Sequence, residues 1–293
     1  IIAKSVGIDY HDFMARWKKI SKHEIIPDFP PHLDIELNST CNYNCTFCSP
    51  HLRNVGKDIE YMDMALFRKV VDSGAKNGVR SITFNWINEP LLRKDIPNFI
   101  AYARERGIPD VMFNSNGELL NKKIAKELIL SGLTKMSVSL DAFTKESHKK
   151  HRPGGNFEIV MDNINNFLDI RNTMGKKLPL LQVCFLETLI NTHELNNFIE
   201  YWNGKADLIK IQNLTNPFDE KKGQKVKEIF SIGGFIKNPD EYKCPQPFQR
   251  MVVRYNGTVL ACCNFRGENL AIGDANTEDL LDIYNSKAAL KIR

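Results

Sequence analysis

The stretch LDIELNSTCNYNCTFC, residues 33–48, decides how the rest of the chain is read. Its first part alternates as a strand does, with Leu33, Ile35 and Leu37 on one side and Asp34 and Glu36 on the other. Its second part delivers Cys41, Cys45 and Cys48 directly after that strand. Ligands in α/β architectures gather at the carboxyl ends of strands, so three thiols here read as metal ligands. Four thiolates close an iron–sulfur cluster, whereas three leave one iron free to chelate a ligand. The same residues also allow a zinc site, for which His51 is near enough in sequence to be the fourth ligand, or unrelated buried thiols.

Outward from this stretch, short alternating segments take turns with amphipathic ones. Strands are expected at Leu33–Leu37, Arg80–Asn85, Asp110–Asn114, Lys135–Leu140, Leu180–Leu186 and Asp207–Gln212. Helical patterns fall at Met64–Lys76, Asp95–Arg106, Lys122–Ser131, Phe157–Met174 and His193–Trp202. Six such units in series predict a parallel sheet with right-handed crossovers, too few for a closed eight-fold barrel. The expected fold class is therefore α/β, a partial (β/α)6 barrel. After Asn213 the pattern changes. Met251–Tyr255, Asn256-Gly257 and Thr258–Cys262 predict a hairpin, since Asn-Gly supplies the positive φ angles of a tight turn. A closing helix is expected over Thr277–Leu290. Three regions follow: an N-terminal extension over 1–30, the partial barrel over 31–218, and a small hairpin-plus-helix extension over 219–293. The boundary is expected near Asp219–Lys243.

The faces of the strands carry a second message. One alternate set is apolar in almost every strand (Leu33, Ile35; Ile82, Phe84; Val111, Phe113; Met136, Val138; Ile209, Ile211). The opposite set is polar, including Glu36, Asn85, Asn114, Ser137, Ser139, Gln182, Lys210 and Gln212. Closed barrels fill their middle with Val, Ile and Leu. Unpartnered burial of a polar group costs roughly 1–3 kcal/mol, so this lumen is expected to hold water or a polar ligand.

Composition narrows the function classes. A formal charge of +5 in 293 residues is mild, and nucleic-acid binding is not favoured by it. The basic run Lys145, Lys149, Lys150, His151, Arg152 reads most simply as a solvated face. No apolar run approaches the roughly 18 residues of a membrane span, and the start does not read as a signal peptide. Seven cysteines in a large chain, three of them within eight residues, predict metal binding in a reducing, cytoplasmic setting. Because the chain begins at Ile1, trimming of both ends is expected.

Cys41-x3-Cys45-x2-Cys48, with Phe47 just before the last cysteine, resembles the signature of the radical S-adenosylmethionine (SAM) superfamily. Further pieces of the resemblance fall at the ends of expected strands: Asn88-Glu89-Pro90, Asn114-Ser115-Asn116-Gly117, and Ser137-Val-Ser139-Leu-Asp141 followed by Arg152. The resemblance implies that Cys41, Cys45 and Cys48 hold a [4Fe–4S] cluster whose open iron binds SAM. Reductive cleavage of SAM then gives a 5′-deoxyadenosyl radical that abstracts hydrogen from substrate. It implies SAM contacts for Phe47, Asn88, Glu89, Asn116, Ser139 and Arg152, with Glu187 and Asn191 toward adenine. Ile87 and Asn88 stand where the family usually has glycines. A reducing partner such as a flavodoxin or ferredoxin is implied as well.

Cys244-Pro-x-Pro-Phe, Asn256-Gly257 and Cys262-Cys263 resemble the start of a SPASM or twitch segment, which implies an auxiliary [4Fe–4S] cluster with Cys244 and Cys262 as ligands. Two cysteines do not complete a four-thiolate set. Either the remaining ligands follow Arg293, which the trimmed ends favour, or the auxiliary site is degenerate.

The expected activity is that of a radical SAM oxidoreductase acting on a small polar substrate, sugar- or aminocyclitol-like, with Glu187, Lys210 and Gln212 orienting it or taking its proton. The 1–30 extension is shorter than the roughly 50 residues of an independent peptide-recognition domain. The alternatives are a maturase that modifies a ribosomally made peptide and, from another class, a metal-stabilised binding protein without catalysis.

Overall fold

A computed structural model describes residues 10–48, 58–213, 243–264, 267 and 269–293. The strands are β1 (His32–Ile35), β2 (Ser81–Thr83), β3 (Asp110–Ser115), β4 (Lys135–Ser139), β5 (Leu180–Glu187), β6 (Leu208–Asn213), β7 (Arg250–Val253), β8 (Thr258–Leu260) and β9 (Ala271–Asp274). The helices are α1 (Tyr10–Ser21), α2 (Met64–Lys76), α3 (Ile96–Glu105), α4 (Lys122–Leu130), α5 (Lys145–His151), α6 (Phe157–Thr173), α7 (Leu195–Trp202), α8 (Gln246–Gln249), α9 (Leu280–Tyr284) and α10 (Lys287–Ile292).

All nine strands form one open sheet in the order β6-β5-β4-β3-β2-β1-β7-β8-β9. The six expected units pair in parallel as a partial barrel. Its apolar face packs under the helices: Leu33, Ile35, Ile82, Val111, Met136, Val138 and Val183 are all buried. Each such side chain contributes roughly 1.5–3 kcal/mol. Helix starts follow local chemistry. Asp63 accepts from the Leu66 N–H at 2.8 Å to begin α2, and Asn121 caps α4 through Lys123 and Ile124.

The C-terminal segment continues the barrel sheet. Strand β7 pairs in parallel with β1, and β8 and β9 follow antiparallel. The expected hairpin forms, with Gly257 at φ 92°. The third strand, β9, was not legible in its sequence. The single closing helix expected over Thr277–Leu290 is instead two, α9 and α10. Ser286 separates them, its hydroxyl accepting from the Ala289 N–H at 3.2 Å as a new N-cap. The expected boundary near Asp219–Lys243 lies outside the described residues except for Lys243.

Many lumen-side polar groups satisfy one another across strands, which lessens the need for water or ligand there. Ser81 donates to Asp110 at 3.2 Å, Gln182 to Ser137 at 2.8 Å, and Ser137 lies 3.0 Å from Cys184. In-register parallel pairing brings such groups side by side. Strand β6 departs from expectation: Ile211 is 38% exposed and Lys210 and Gln212 are exposed, because β6 ends the sheet with β5 as its described partner. Among the described residues, no helix is long and apolar enough to cross a membrane.

Candidate functional site

The loop after β1 is fastened on two sides. Toward β2, Asn38 Nδ2 donates to the Glu89 carbonyl at 3.0 Å, and the Glu89 N–H donates to the Thr40 carbonyl at 2.9 Å. Toward α5, the Thr46 N–H donates to the His151 carbonyl at 3.1 Å and the Asn44 N–H to that of Pro153 at 3.3 Å. Tyr43 lies so close to Gly155 that a Cβ there would stand 2.4 Å from the ring, so only glycine fits. Thus Cys45 is buried while Cys41 and Cys48 are half-buried.

Burial pushes the Cys41 thiol up to about 12; the Glu89 charge and the other two thiols add to the shift. Ligation needs thiolates, and a cationic iron–sulfur core is what would stabilise three of them here. Among the described residues, no three His, Cys, Asp or Glu side chains converge on a point suited to one ion. Each ligand of a cubane sits on its own iron, so three thiols on one loop could hold three of its four irons. His51 lies outside the described residues.

Glu89 is buried and its carboxylate spans two loops, accepting from Leu91 N–H (3.0 Å), Ser115 Oγ (2.8 Å) and Asn116 N–H (2.8 Å). Burial raises its pKa and these bonds oppose the rise. Asn116 is buried too, its Nδ2 donating to Asn42 Oδ1 at 2.8 Å. Asn88 accepts from the Trp86 N–H at 3.1 Å, but its buried Nδ2 has no hydrogen-bond partner. An orphaned buried donor beside the cysteine loop is the kind of group that a bound cofactor would satisfy.

Arg152 is not part of a solvated face. Its guanidinium is buried against Asp141, with Nε at 3.0 Å and a second, shorter contact from Nη2, while Nη1 lies 3.5 Å from Cys45 Sγ. Burial works against its charge; Asp141 and the Cys45 thiol outweigh it, and the net shift is upward. Its guanidinium carbon lies 5.5 Å from the Phe47 ring centre. Asp141 adopts φ 57°, which aspartate tolerates, and accepts from the Leu186 N–H at 2.8 Å. Of the same basic run, Lys145 pairs with Glu158 at the surface and His151 is buried, bonded to Thr188 Oγ1 at 2.8 Å.

The other expected residues divide. Ser139 is half-buried at the end of β4. Asn191 uses its whole amide inside the protein, donating to the Asp141 and Leu186 carbonyls and accepting from Thr188, so its amide has no group left for adenine. Glu187 shares the alternation of the core residues Val183 and Phe185 rather than that of the lumen set, and accepts from Thr192 Oγ1 at 2.7 Å. Lys210 and Gln212 lie exposed on β6.

In the C-terminal segment Cys244 is exposed and Cys262 and Cys263 are half-buried. Cys262 is pushed up by burial and also by the Cys244 thiol, so these two share one neighbourhood. Cys263 Sγ lies 3.5 Å from Gln246 Oε1, and burial pushes its thiol up as well. Sequence reasoning named Asp141 within its segment but missed its pairing with Arg152, and it missed Arg254 as part of this mouth. Trp86 Nε1 donates to the Cys263 carbonyl at 3.1 Å, and Arg254 Nε donates to Glu36 at 3.1 Å. Neither contact has a local signature.

Comparison with known proteins agrees with this geometry. The radical SAM superfamily model matches residues 35–175, and an iron-sulfur cluster-binding SPASM model matches residues 244–293. A protein of Methanococcus maripaludis named probable GTP 3',8-cyclase is 32% identical over 206 residues, 70% of this chain and 66% of that protein. One of the same name from Methanocaldococcus jannaschii is 29% identical, over 65% of this chain and 61% of its own length. The chain thus spans a little under two thirds of these relatives. Among solved structures, Streptococcus suis SuiB bound to S-adenosylmethionine superposes with a TM-score of 0.68 at 20% identity, covering 92% of this chain and 68% of SuiB. BtrN in complex with AdoMet and 2-DOIA superposes at 0.57 and 19% identity, covering 92% and 87%. At these identities the structures speak for the fold. Members of the family work with a [4Fe–4S] cluster and SAM, to which the three-thiol loop and its orphaned donor are suited. The chain belongs to the radical SAM superfamily and carries a SPASM-like region at its C-terminus.

Proposed function

We propose that this radical SAM enzyme acts on a small polar molecule held at the carboxyl ends of β1, β2 and β7, between the two cysteine-bearing segments. In this reading Cys41, Cys45 and Cys48 hold the catalytic cluster. Asn88 Nδ2 donates to SAM, and Asn116, Ser139, Phe47 and the remaining lone pair of the Glu89 carboxylate complete its surroundings. Arg152, braced by Asp141, sets the charge beside Cys45. Cys244 and Cys262 begin an auxiliary site. When bound, cluster and SAM together supply one-electron reductive cleavage and hydrogen abstraction. The protein's own part is to exclude water, orient the substrate and receive its proton. Glu187, Lys210 and Gln212 stay candidates on the β5–β6 side, and Glu36 joins them on the β1 side.

The observation that carries this reading is the buried three-thiol loop with an unsatisfied amide donor beside it. The polar character of the substrate is supported by the charged side chains that β1 and β7 turn to the same face. Anaerobic reconstitution with iron and sulfide, followed by SAM and dithionite, is expected to release 5′-deoxyadenosine, with sugars and aminocyclitols stimulating it. No release from cluster-loaded protein would overturn the catalytic reading and leave the metal-stabilised binding protein. A peptide substrate is the second reading. It is favoured by β6, the last strand of the sheet among the described residues, with Leu208 and Ile211 more than one third exposed, to which an extended peptide could add. Stimulation by a precursor peptide and not by sugars would select it.

A further inference from the structure

Strands β1 and β7 run in the same direction, with His32, Leu33, Asp34 and Ile35 opposite Arg250, Met251, Val252 and Val253. The Glu36 N–H donates to the Val253 carbonyl at 2.9 Å, which carries the pairing one step further and sets Glu36 beside Arg254. Leu33, Ile35, Met251 and Val253 belong to the core under the helices. Alternation therefore turns His32, Asp34, Glu36, Arg250 and Arg254 to the lumen.

The result is two charged rungs with different surroundings. At the lower rung Arg250 Nη1 lies 3.4 Å from Asp34 Oδ2, and Trp17 of α1 covers it, 5.6 Å from the guanidinium carbon and edge-on to His32. At the upper rung Arg254 Nε donates to Glu36 Oε2 at 3.1 Å, Glu36 is 2% exposed, and the arginine side chain is 21% exposed. The guanidinium carbon lies 4.8 Å from the Trp86 ring centre and 5.4 Å from that of Tyr255. Trp86 is itself fixed through its indole N–H to the Cys263 carbonyl. Among the described residues, Nη1 and Nη2 of Arg254 have no hydrogen-bond acceptor.

A guanidinium held by one edge and stacked on an aromatic ring keeps its outer N–H pair in a fixed plane. That fork matches a carboxylate or phosphate and loses little rotamer freedom on binding one. Glu36 accepts from Arg254 Nε and so fixes the guanidinium when no ligand is present. It also stands at the ligand-collecting end of β1, five positions before Cys41, and next to the segment of Cys262 and Cys263.

We propose that Arg254, braced by Glu36 and Trp86, binds an anionic oxygen group of the substrate, a carboxylate or a phosphate. This rests on the reading of that mouth as the substrate chamber, and it makes the polar substrate an anion.

The test uses the full chain with its clusters reconstituted, titrated calorimetrically with malonate and with pyrophosphate. Saturable one-to-one binding of one probe is expected, and which probe binds distinguishes carboxylate from phosphate. Arg254→Gln is expected to weaken it roughly tenfold to hundredfold, the loss of charge-assisted hydrogen bonds. Arg254→Lys, which keeps the charge and loses the fork, should fall between, and it decides the matter if the glutamine variant fails to load iron. Trp86→Phe should weaken binding less than either. Equal affinity in the unaltered protein and both Arg254 variants overturns the proposal, as does the lack of saturable binding of either probe to the unaltered protein. Release of 5′-deoxyadenosine by that same protein is scored separately: cleavage without anion binding sinks only the Arg254 site, and binding without cleavage sinks only the catalytic reading.

Discussion

The loop of Cys41, Cys45 and Cys48 is fastened to the strand β2 side through Glu89 and to the end of α5 through His151 and Pro153, with a buried arginine against Cys45. The segment of Cys244, Cys262 and Cys263 offers the same ligand atoms beyond strand β7, with Cys244 exposed and, among the described residues, contacts to Trp86 and Gln246. In the first region the fold holds the thiols before any cluster arrives. In the second it supplies a pair, and a cluster there would itself do much of the organising. Pre-organisation of ligands by the surrounding fold, not the number of cysteines, separates the two.

Removing one thiol from each region tests this contrast most severely. Protein with both clusters should carry about eight irons. Cys45→Ala should lose about four of them, with 5′-deoxyadenosine release falling to background. Cys262→Ala should also lose iron but reduce release far less. Iron analysis and product chromatography check both, and the reverse ranking would break the comparison.

Asp141→Asn probes the brace behind the first loop. Asparagine tolerates the same φ of 57° but leaves the Arg152 charge without its carboxylate. Loss of one partner from a buried pair costs roughly 3–5 kcal/mol. Denaturant midpoints should drop accordingly. A change under about 1 kcal/mol would mean that the brace is not what holds Arg152 in place.

Glu36 sharpens the comparison at the seam. Burial raises its pKa from 4.5 to about 7, with Arg254 opposing the rise. A carboxyl with a raised pKa keeps its proton in the folded state after the unfolded chain has lost it. Its contribution is therefore full below about pH 4.5 and is lost as pH rises toward 7. Glu36→Gln should flatten the fall in stability across that window by up to about 3 kcal/mol. Unfolding measured at pH 4.5, 5.5 and 7 would show it, and parallel curves for the two proteins would refute it.

The smallest expected effect is at the C-terminal end. Ser286→Ala removes the cap that starts α10 and should cost about 1 kcal/mol. A thermal melt is the check. Because α9 and α10 pack against α2 and the Pro27–Phe29 segment rather than the cysteine loop, iron retention by the first loop should not follow the change.

Much of the fold was legible because its signals are local. Alternation in Leu33–Leu37 and Met136–Leu140 marked strands, and Asn256-Gly257 marked the hairpin turn. Ser286 carried a local signal too, a capping residue within an amphipathic run, and the break between α9 and α10 follows from it. The candidate site was legible in its ligands and less so in their neighbours. Arg152 fell in a run that looked solvent-facing, yet the turn at Asp141 buries it. Glu187 fell one position off the lumen alternation, and Lys210 and Gln212 on a strand that ends the sheet.

The sequence by itself determined that three thiols follow the first strand, that six β–α units wind a partial barrel, and that a second cysteine pair stands near a hairpin. Each of these is a spacing or a period within a few residues. Only the tertiary structure decided that β7 lies along β1, that Arg254 meets Glu36 from 218 positions away, and that Trp86 reaches Cys263. The physical reason is that backbone hydrogen bonding between strands is the same for every residue type. Which distant strand becomes the neighbour is therefore set by the packing of the whole sheet and its helices.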